Sequence, residues 1–100
     1  MKIAVVILHY GQLSTTKECL QNLSKKIGEH QVILINNTHD DCSSLQKIIP
    51  RTKLINNKVN LGFARGVNQG IDLAFNDKSI THFFLRDDFE NILFDILLIH

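Results

Sequence analysis

"KIAVVIL" at residues 2–8 is an unbroken β-branched and apolar run. A surface helix would break such a run with polar residues, and a strand with one wet face would alternate. A continuous run fits a strand buried on both faces, at the centre of a parallel sheet. The residues after it indicate how that sheet is wound. "HYGQ" (9–12) is a polar turn, and the stretch from Ser14 to Ile27 has the marks of an amphipathic helix. Ser14, Thr15 and Thr16 are candidate caps, Lys17 and Glu18 occupy the first turns, and Leu20, Leu23 and Ile27 form one stripe before Gly28.

The alternation then repeats. "QVILIN" (31–36) reads as a second buried strand, "DCSSLQKII" (41–49) as a short helix closed by Pro50, and "TKLINN" (52–57) as a third strand. After the Asn60-Leu61-Gly62 turn, Leu61 to Phe75 carries Phe63, Val67, Ile71 and Ala74 or Phe75 at helical spacing, and "ITHFFL" (80–85) is a fourth strand. Strands alternating with helical crossovers predict an α/β fold: a Rossmann-like, mainly parallel sheet of about four strands, singly or doubly wound, in one domain over 1–100.

Composition narrows the function classes. Apolar residues make up 44% and charged residues 21%, ordinary globular usage that argues against disorder. A net charge of +1 supplies no basic field, so nucleic acid is not an expected partner. Cys19 and Cys42 belong to no C-x-x-C pair and read as reduced thiols, Cys19 on the apolar stripe of its helix. The run after Met1-Lys2 is too short to span a membrane and lacks a cleavage site, so the expected location is cytoplasmic.

The tail "FENILFDILLIH" (89–100) places Phe89, Ile92, Leu93, Ile96 and Leu97 at helical spacing, while Phe94, Leu98 and Ile99 make it apolar nearly all round. Such a helix wants cover on several sides: more of the same chain by preference, otherwise self-association through 89–100 or a membrane-peripheral position.

Ligands of wound sheets bind beyond the carboxyl ends of the strands. Here every strand empties into polar residues at that edge: His9-Tyr10-Gly11, Asn36-Asn37-Thr38, Asn56-Asn57 and Arg86-Asp87-Asp88. His9 and His39 are placed to line a crevice there, whereas no histidine spacing suggests zinc. Gly62, Gly66 and Gly70 do not form G-x-G-x-x-G. The last two read as a close-packing stripe, and Gly62 sits at a helix start able to receive a phosphate. Arg65 in that first turn is either a solvated arginine or the partner of a bound anion. Asp87 and Asp88 suit either a helix cap or Mg²⁺ or Mn²⁺, and their chemistry alone favours the cap.

Taken in order, these segments resemble the N-terminal half of family 2 glycosyltransferases of GT-A fold, closest in wording to rhamnosyltransferase-like members. "VVILHYGQLSTTKECLQNL" (5–23) is similar to the family's opening strand, turn and helix. "VILINNTHDDCS" (32–43) is similar to its V-D-N-x-S-x-D-x-S segment, "NLGFARGVNQGIDLA" (60–74) to its N-x-G-F-A-x-G-x-N-x-G-I segment, and "FFLRDD" (83–88) to its acidic metal motif. The resemblance implies a nucleotide-sugar donor (UDP- or dTDP-sugar), a glycan acceptor for cell-surface polysaccharide, inverting transfer, and Mg²⁺ or Mn²⁺. It implies that His9 and Tyr10 line the nucleotide pocket, that Asn36 stands where the family's base-reading aspartate stands, and that Asn60, Gly62 and Arg65 meet the nucleotide and diphosphate. It further implies that Asp88 binds the metal beside Asp87, with Arg86 where a D-x-D motif would begin. The family's acceptor region and general base lie beyond that motif. With only 89–100 following, the expectation is a truncated donor half, inactive alone, and its rivals are a nucleotide-binding module without transfer activity and a subunit docking through its tail. An acidic-pocket receiver domain is set aside because the first strand ends in His9-Tyr10-Gly11.

Overall fold

The computed structural model describes the backbone of residues 2–87 and 93–97 and the side chains of residues 2–85. The elements run β1 (Lys2–His9), α1 (Leu13–Ser24), β2 (Gln31–Asn36), α2 (Ser43–Gln46), β3 (Lys53–Asn56), α3 (Phe63–Phe75), β4 (Ile80–Asp87) and β5 (Leu93–Leu97). They form one sheet of order β3-β2-β1-β4-β5. β1 is central as its composition predicts, pairing in parallel with β2 on one side and β4 on the other. β2 also pairs in parallel with β3.

This order settles how the sheet is wound. The connections through α1 and α2 step outward from β1 to β3, and the connection through α3 steps back past β1 to β4. Crossovers of one hand that travel in opposite directions must lie on opposite faces. Two separate cores show that they do. Ala4, Val6 and Leu8 of β1 join Ile33, Ile35, Ala74 and Phe83 on the α3 face, while Val5 and Ile7 join Cys19, Leu20, Leu34, Cys42 and Leu45 on the α1 and α2 face. The sheet is doubly wound, and the order reverses between β1 and β4, where ligands of such folds gather. Both cysteines are buried and in no disulfide.

The tail differs from the helix its spacing predicts. Residues 93–97 are strand β5, paired antiparallel with β4 in a register that sets Leu93 opposite Arg86 and Leu97 opposite His82. A short apolar run is compatible with either period. As β4 otherwise ends the sheet, pairing supplies its backbone groups with partners that a helix would leave unmet.

Helix boundaries also shift from the sequence expectation. α1 starts at Leu13 with Gln12 at the cap position, whose side chain makes no capping bond. Thr16, a candidate cap, is instead fully buried. α1 ends at Ser24, and Gly28 turns the chain with φ of +54°, yet Ile27 still packs into the core. α2 is a single turn. On α3 the innermost residues are Gly66, Gly70 and Ala74 rather than the large apolar ones. Phe63 is 50% exposed and so is not the core residue its spacing suggests, while of the alternatives Ala74 and Phe75 it is Ala74 that enters the core.

At the amino edge Lys2 Nζ donates to Asp77 Oδ2 at 3.2 Å, and Asp77 Oδ1 accepts from the Ser79 amide and hydroxyl at 2.9 and 2.6 Å. The Ser79 bonds, with Lys2 beside them, hold the Asp77 carboxyl down at about 2. An unfolded aspartate titrates near about 3.9, so between these values the folded chain binds fewer protons than the unfolded one. The contribution is complete above the unfolded value and is lost as pH falls toward 2. Asp77→Asn should flatten the fall of the denaturation midpoint over that acid window and leave the midpoint's pH dependence above pH 5 unchanged. An unaltered acid limb would reject the assignment.

Candidate functional site

β1, β2 and β3 end in register, His9 opposite Asn36 and Asn36 opposite Asn56, so their exits lie side by side at the carboxyl edge. The backbone continues the ladder briefly, with the Asn37 N–H donating to the His9 carbonyl at 2.8 Å and the Asn57 N–H to the Asn36 carbonyl at 2.9 Å. β4 reaches the same edge, Leu8 standing opposite Asp87.

His9 lies beneath this edge, not on it. It is 0% exposed, with Nδ1 at 2.6 Å from Thr16 Oγ1 and Nε2 at 3.0 Å from Asp40 Oδ2. An ionised carboxylate only accepts, so Nε2 carries a proton toward Asp40, and in the neutral ring the Thr16 hydroxyl donates to Nδ1. The same bond, more than any other influence, holds the Asp40 carboxyl below the usual range. His9 thereby ties the end of β1 to α1 and to the loop after β2.

Asn36 is 1% exposed, and its amide is fully used within the chain. Nδ2 donates to the Asp40 carbonyl at 2.8 Å and to Asn56 Oδ1 at 3.0 Å. Oδ1 accepts from the Thr38 amide at 3.1 Å and hydroxyl at 2.6 Å. Two donor hydrogens and two lone pairs are the whole capacity of a carboxamide. In this arrangement Asn36 shapes the loop over 37–40, and it would have to release one of these bonds to contact a ligand.

A second amide network stands beside it. Asn57 and Gln69 exchange two bonds of 2.8 Å each, and Asn57 Nδ2 also donates to Asn37 Oδ1 at 2.7 Å. Asn37 Nδ2 reaches the Gly62 carbonyl at 3.4 Å, and Asn60 Oδ1 accepts from the Gly62 N–H at 2.8 Å. Gly62 has φ of +86° and ψ of 168°, a conformation open to glycine alone, and it delivers the chain into α3.

Two clefts open on these networks. One, of about 230 Å³, is lined by Tyr10, Asn37, Asn60, Gly62 and Phe63. The other, of about 270 Å³, is lined by Asn36, Thr38, His39, Asp40, Asp41, Asn56 and Lys58. Tyr10, Asn60 and Gly62 thus come together, Asn36 borders the neighbouring cleft, and Arg65 is exposed on the first turn of α3. Asp87 ends β4, and Asp88, the expected metal ligand, lies outside the described residues. Among the described residues no three His, Cys, Asp or Glu side chains gather as a metal site.

No pattern in the sequence gives Asp40, Thr16, Asn57 or Gln69 a place in the site, Thr16 reading only as a candidate cap. Asn57 was visible as a strand-end amide, but its bond to Gln69 spans the length of a loop and two helical turns, a contact no local pattern encodes. Gly66 and Gly70 behave as the stripe predicts: a Cβ on Gly70 would stand 2.8 Å from Val6 Cγ1, and one on Gly66 would meet Leu8 Cδ2.

Comparison with known proteins agrees with the architecture. Residues 4–91 match the model of the family described as "Glycosyl transferase family 2". No curated protein matches the chain. Seventeen chains of solved structures do. Among them the crystal structure of S. aureus TarS aligns with a TM-score of 0.70 at 19% identity, over 88% of this chain and 16% of TarS. That likeness is one of fold, and this chain spans a small part of the longer protein's length. Among the described residues no helix is long and apolar enough to cross a membrane.

Proposed function

The chain belongs to glycosyl transferase family 2, and from that membership we propose that it forms the donor-binding part of a glycosyltransferase, holding a UDP- or dTDP-sugar over the carboxyl edge of its sheet. The observation that carries this reading is the convergence of Tyr10, Asn60 and Gly62 on one cleft at the start of α3. The base and the diphosphate of a nucleoside diphosphate each have a counterpart there. The rings of Tyr10 and Phe63 offer apolar surface to a base, and the unpaired N–H groups that begin a helix, with its positive dipole end, favour a diphosphate. Arg65 stands exposed on the same turn, where a cation is disfavoured by the dipole unless an anion lies between them. His9 and Asn36 support the loops from below, through their bonds to Asp40.

Asp88 beside Asp87 would hold Mg²⁺ or Mn²⁺, which would supply charge to offset that building on the departing nucleoside diphosphate. Transfer to a glycan acceptor with inversion, as in rhamnosyltransferase-like relatives, completes the reading.

Calorimetric titration of the chain with UDP and with dTDP, with and without Mn²⁺, tests it. Binding is expected with at least one nucleotide, tighter with Mn²⁺. Replacing Arg65 by alanine should weaken it about tenfold or more, as loss of a hydrogen bond to a charged group does. Absence of binding by either nucleotide in every condition would overturn the proposal.

A further inference from the structure

The amide network beside the proposed nucleotide cleft has a closed form that its individual bonds do not reveal. Gln69 lies on α3, nearly two turns after Gly62. Its amide is paired reciprocally with Asn57, in the loop after β3. Asn57 holds Asn37, which follows β2, and Asn37 reaches the carbonyl of Gly62, the residue from which α3 begins. The path leaves α3 at Gln69 and returns to it at Gly62 through the exits of two strands. Of its members, Asn37 is buried, Asn57 and Gln69 are half-buried, and Gly62 is exposed. The circuit therefore runs from the interior to the rim of the cleft.

Packing and hydrogen bonding converge on the same amide. A Cβ on Gly66 would come within 3.2 Å of Asn37 Nδ2, so the missing side chain leaves the space in which that amide sits. Gly66 clears the place and Asn57 fills the acceptor. The last bond, from Asn37 to Gly62, is the longest of the circuit at 3.4 Å and depends most on where Asn37 is held. Gly62 is also where the backbone occupies its restricted conformation, so its orientation decides where the first N–H groups of α3 point.

We propose that Gln69 is a positioning residue for the nucleotide cleft: acting through Asn57 and Asn37, it fixes the Gly62 peptide and the 57–62 loop in the orientation that receives the donor diphosphate. This rests on the donor-binding reading of the cleft. Gln69 itself does not line the cleft, so its influence passes only through its partners.

The test uses the 100-residue chain and UDP with Mn²⁺ as the probe. Gln69→Met keeps the side-chain length and removes the amide. It should speed amide hydrogen exchange at Gly62 and Phe63 several-fold relative to exchange at Ile71 and Leu73, and weaken UDP binding about tenfold, the equivalent of one or two net hydrogen bonds. Asn57→Ala should do the same. The double variant should be no worse than Asn57→Ala alone, because Gln69 acts through Asn57. Two independent packing defects would instead add, and additive losses would overturn the proposal, as would wild-type affinity and wild-type exchange at Gly62 in either folded variant. If the wild-type chain binds no UDP, the donor-binding reading fails and this inference with it; if it binds and Gln69→Met binds equally well, this inference alone fails.

Discussion

Gly70→Ala should destabilise the chain by about 1–3 kcal/mol, the usual cost of an extra methyl in a filled core. Intrinsic helix propensity predicts the opposite sign, since alanine is favoured over glycine by about 1 kcal/mol in a helix interior. Packing decides between them. The new Cβ would lie 2.8 and 2.9 Å from the two Cγ atoms of Val6, in the central strand. A β-branched side chain has little rotamer freedom with which to withdraw, and Val6 is fully buried with Leu8, Ile33 and Phe83 around it. Either α3 lifts from the sheet or β1 distorts. An exposed site on the same helix provides the control: Asn68→Ala should raise the denaturation midpoint slightly or leave it unmoved. Stability at Gly70→Ala equal to or above wild type would show that α3 does not sit against Val6.

The reason for that close approach also explains how much of the structure could be read in advance. Parallel strands buried on both faces are written as continuous apolar runs, so β1 and β2 were legible to within a residue, and the polar clusters after them located the carboxyl edge. The small residues of α3 were legible as a stripe. Their consequence for Phe63 was not: with glycine at the contact line, the helix sits so near the sheet that its large residues are displaced to the flanks, and Phe63 becomes the wall of a cleft. Residues 93–97 illustrate a different limit. Their pattern admits either period, and what selects the strand is the open edge of β4, a feature of the assembled sheet. The candidate site divides the same way. That Tyr10 follows β1 and Gly62 opens α3 was legible from their place in the chain, and the resemblance pointed to Asn60, whereas the bonding of Asn36, Asn57 and Gln69 depends on which amide meets which across the fold. A carboxamide in sequence does not show whether its hydrogen bonds are spent inside the chain or kept for a ligand.

His9→Ala should cost about 2–5 kcal/mol, the range for truncating a large side chain in a packed interior. His9 is wholly buried, and the imidazole carries bonds to two elements at once, Thr16 of α1 and Asp40 of the loop after β2. Its loss leaves a cavity under the carboxyl edge and removes the tie that draws that loop down. Asp40→Asn separates the two parts. The Asp40 side chain is 40% exposed, so water replaces its bond to the ring, and the stability loss should be small beside that of His9→Ala, as for other exposed pairs. The pH behaviour then distinguishes them further. His9 holds the Asp40 carboxyl below its usual value, so this bond stabilises the fold fully above the unfolded carboxylate's pKa and fades as pH falls through the folded one. Asp40→Asn should therefore lose part of its difference from wild type in acid, while His9→Ala, whose cost is chiefly a cavity, should remain destabilised there. Denaturation midpoints of the three chains at pH 7 and in the acid limb measure both effects. If His9→Ala were as mild as Asp40→Asn, the imidazole would be only an accessory to the carboxyl edge and not the post on which its first two loops are fixed.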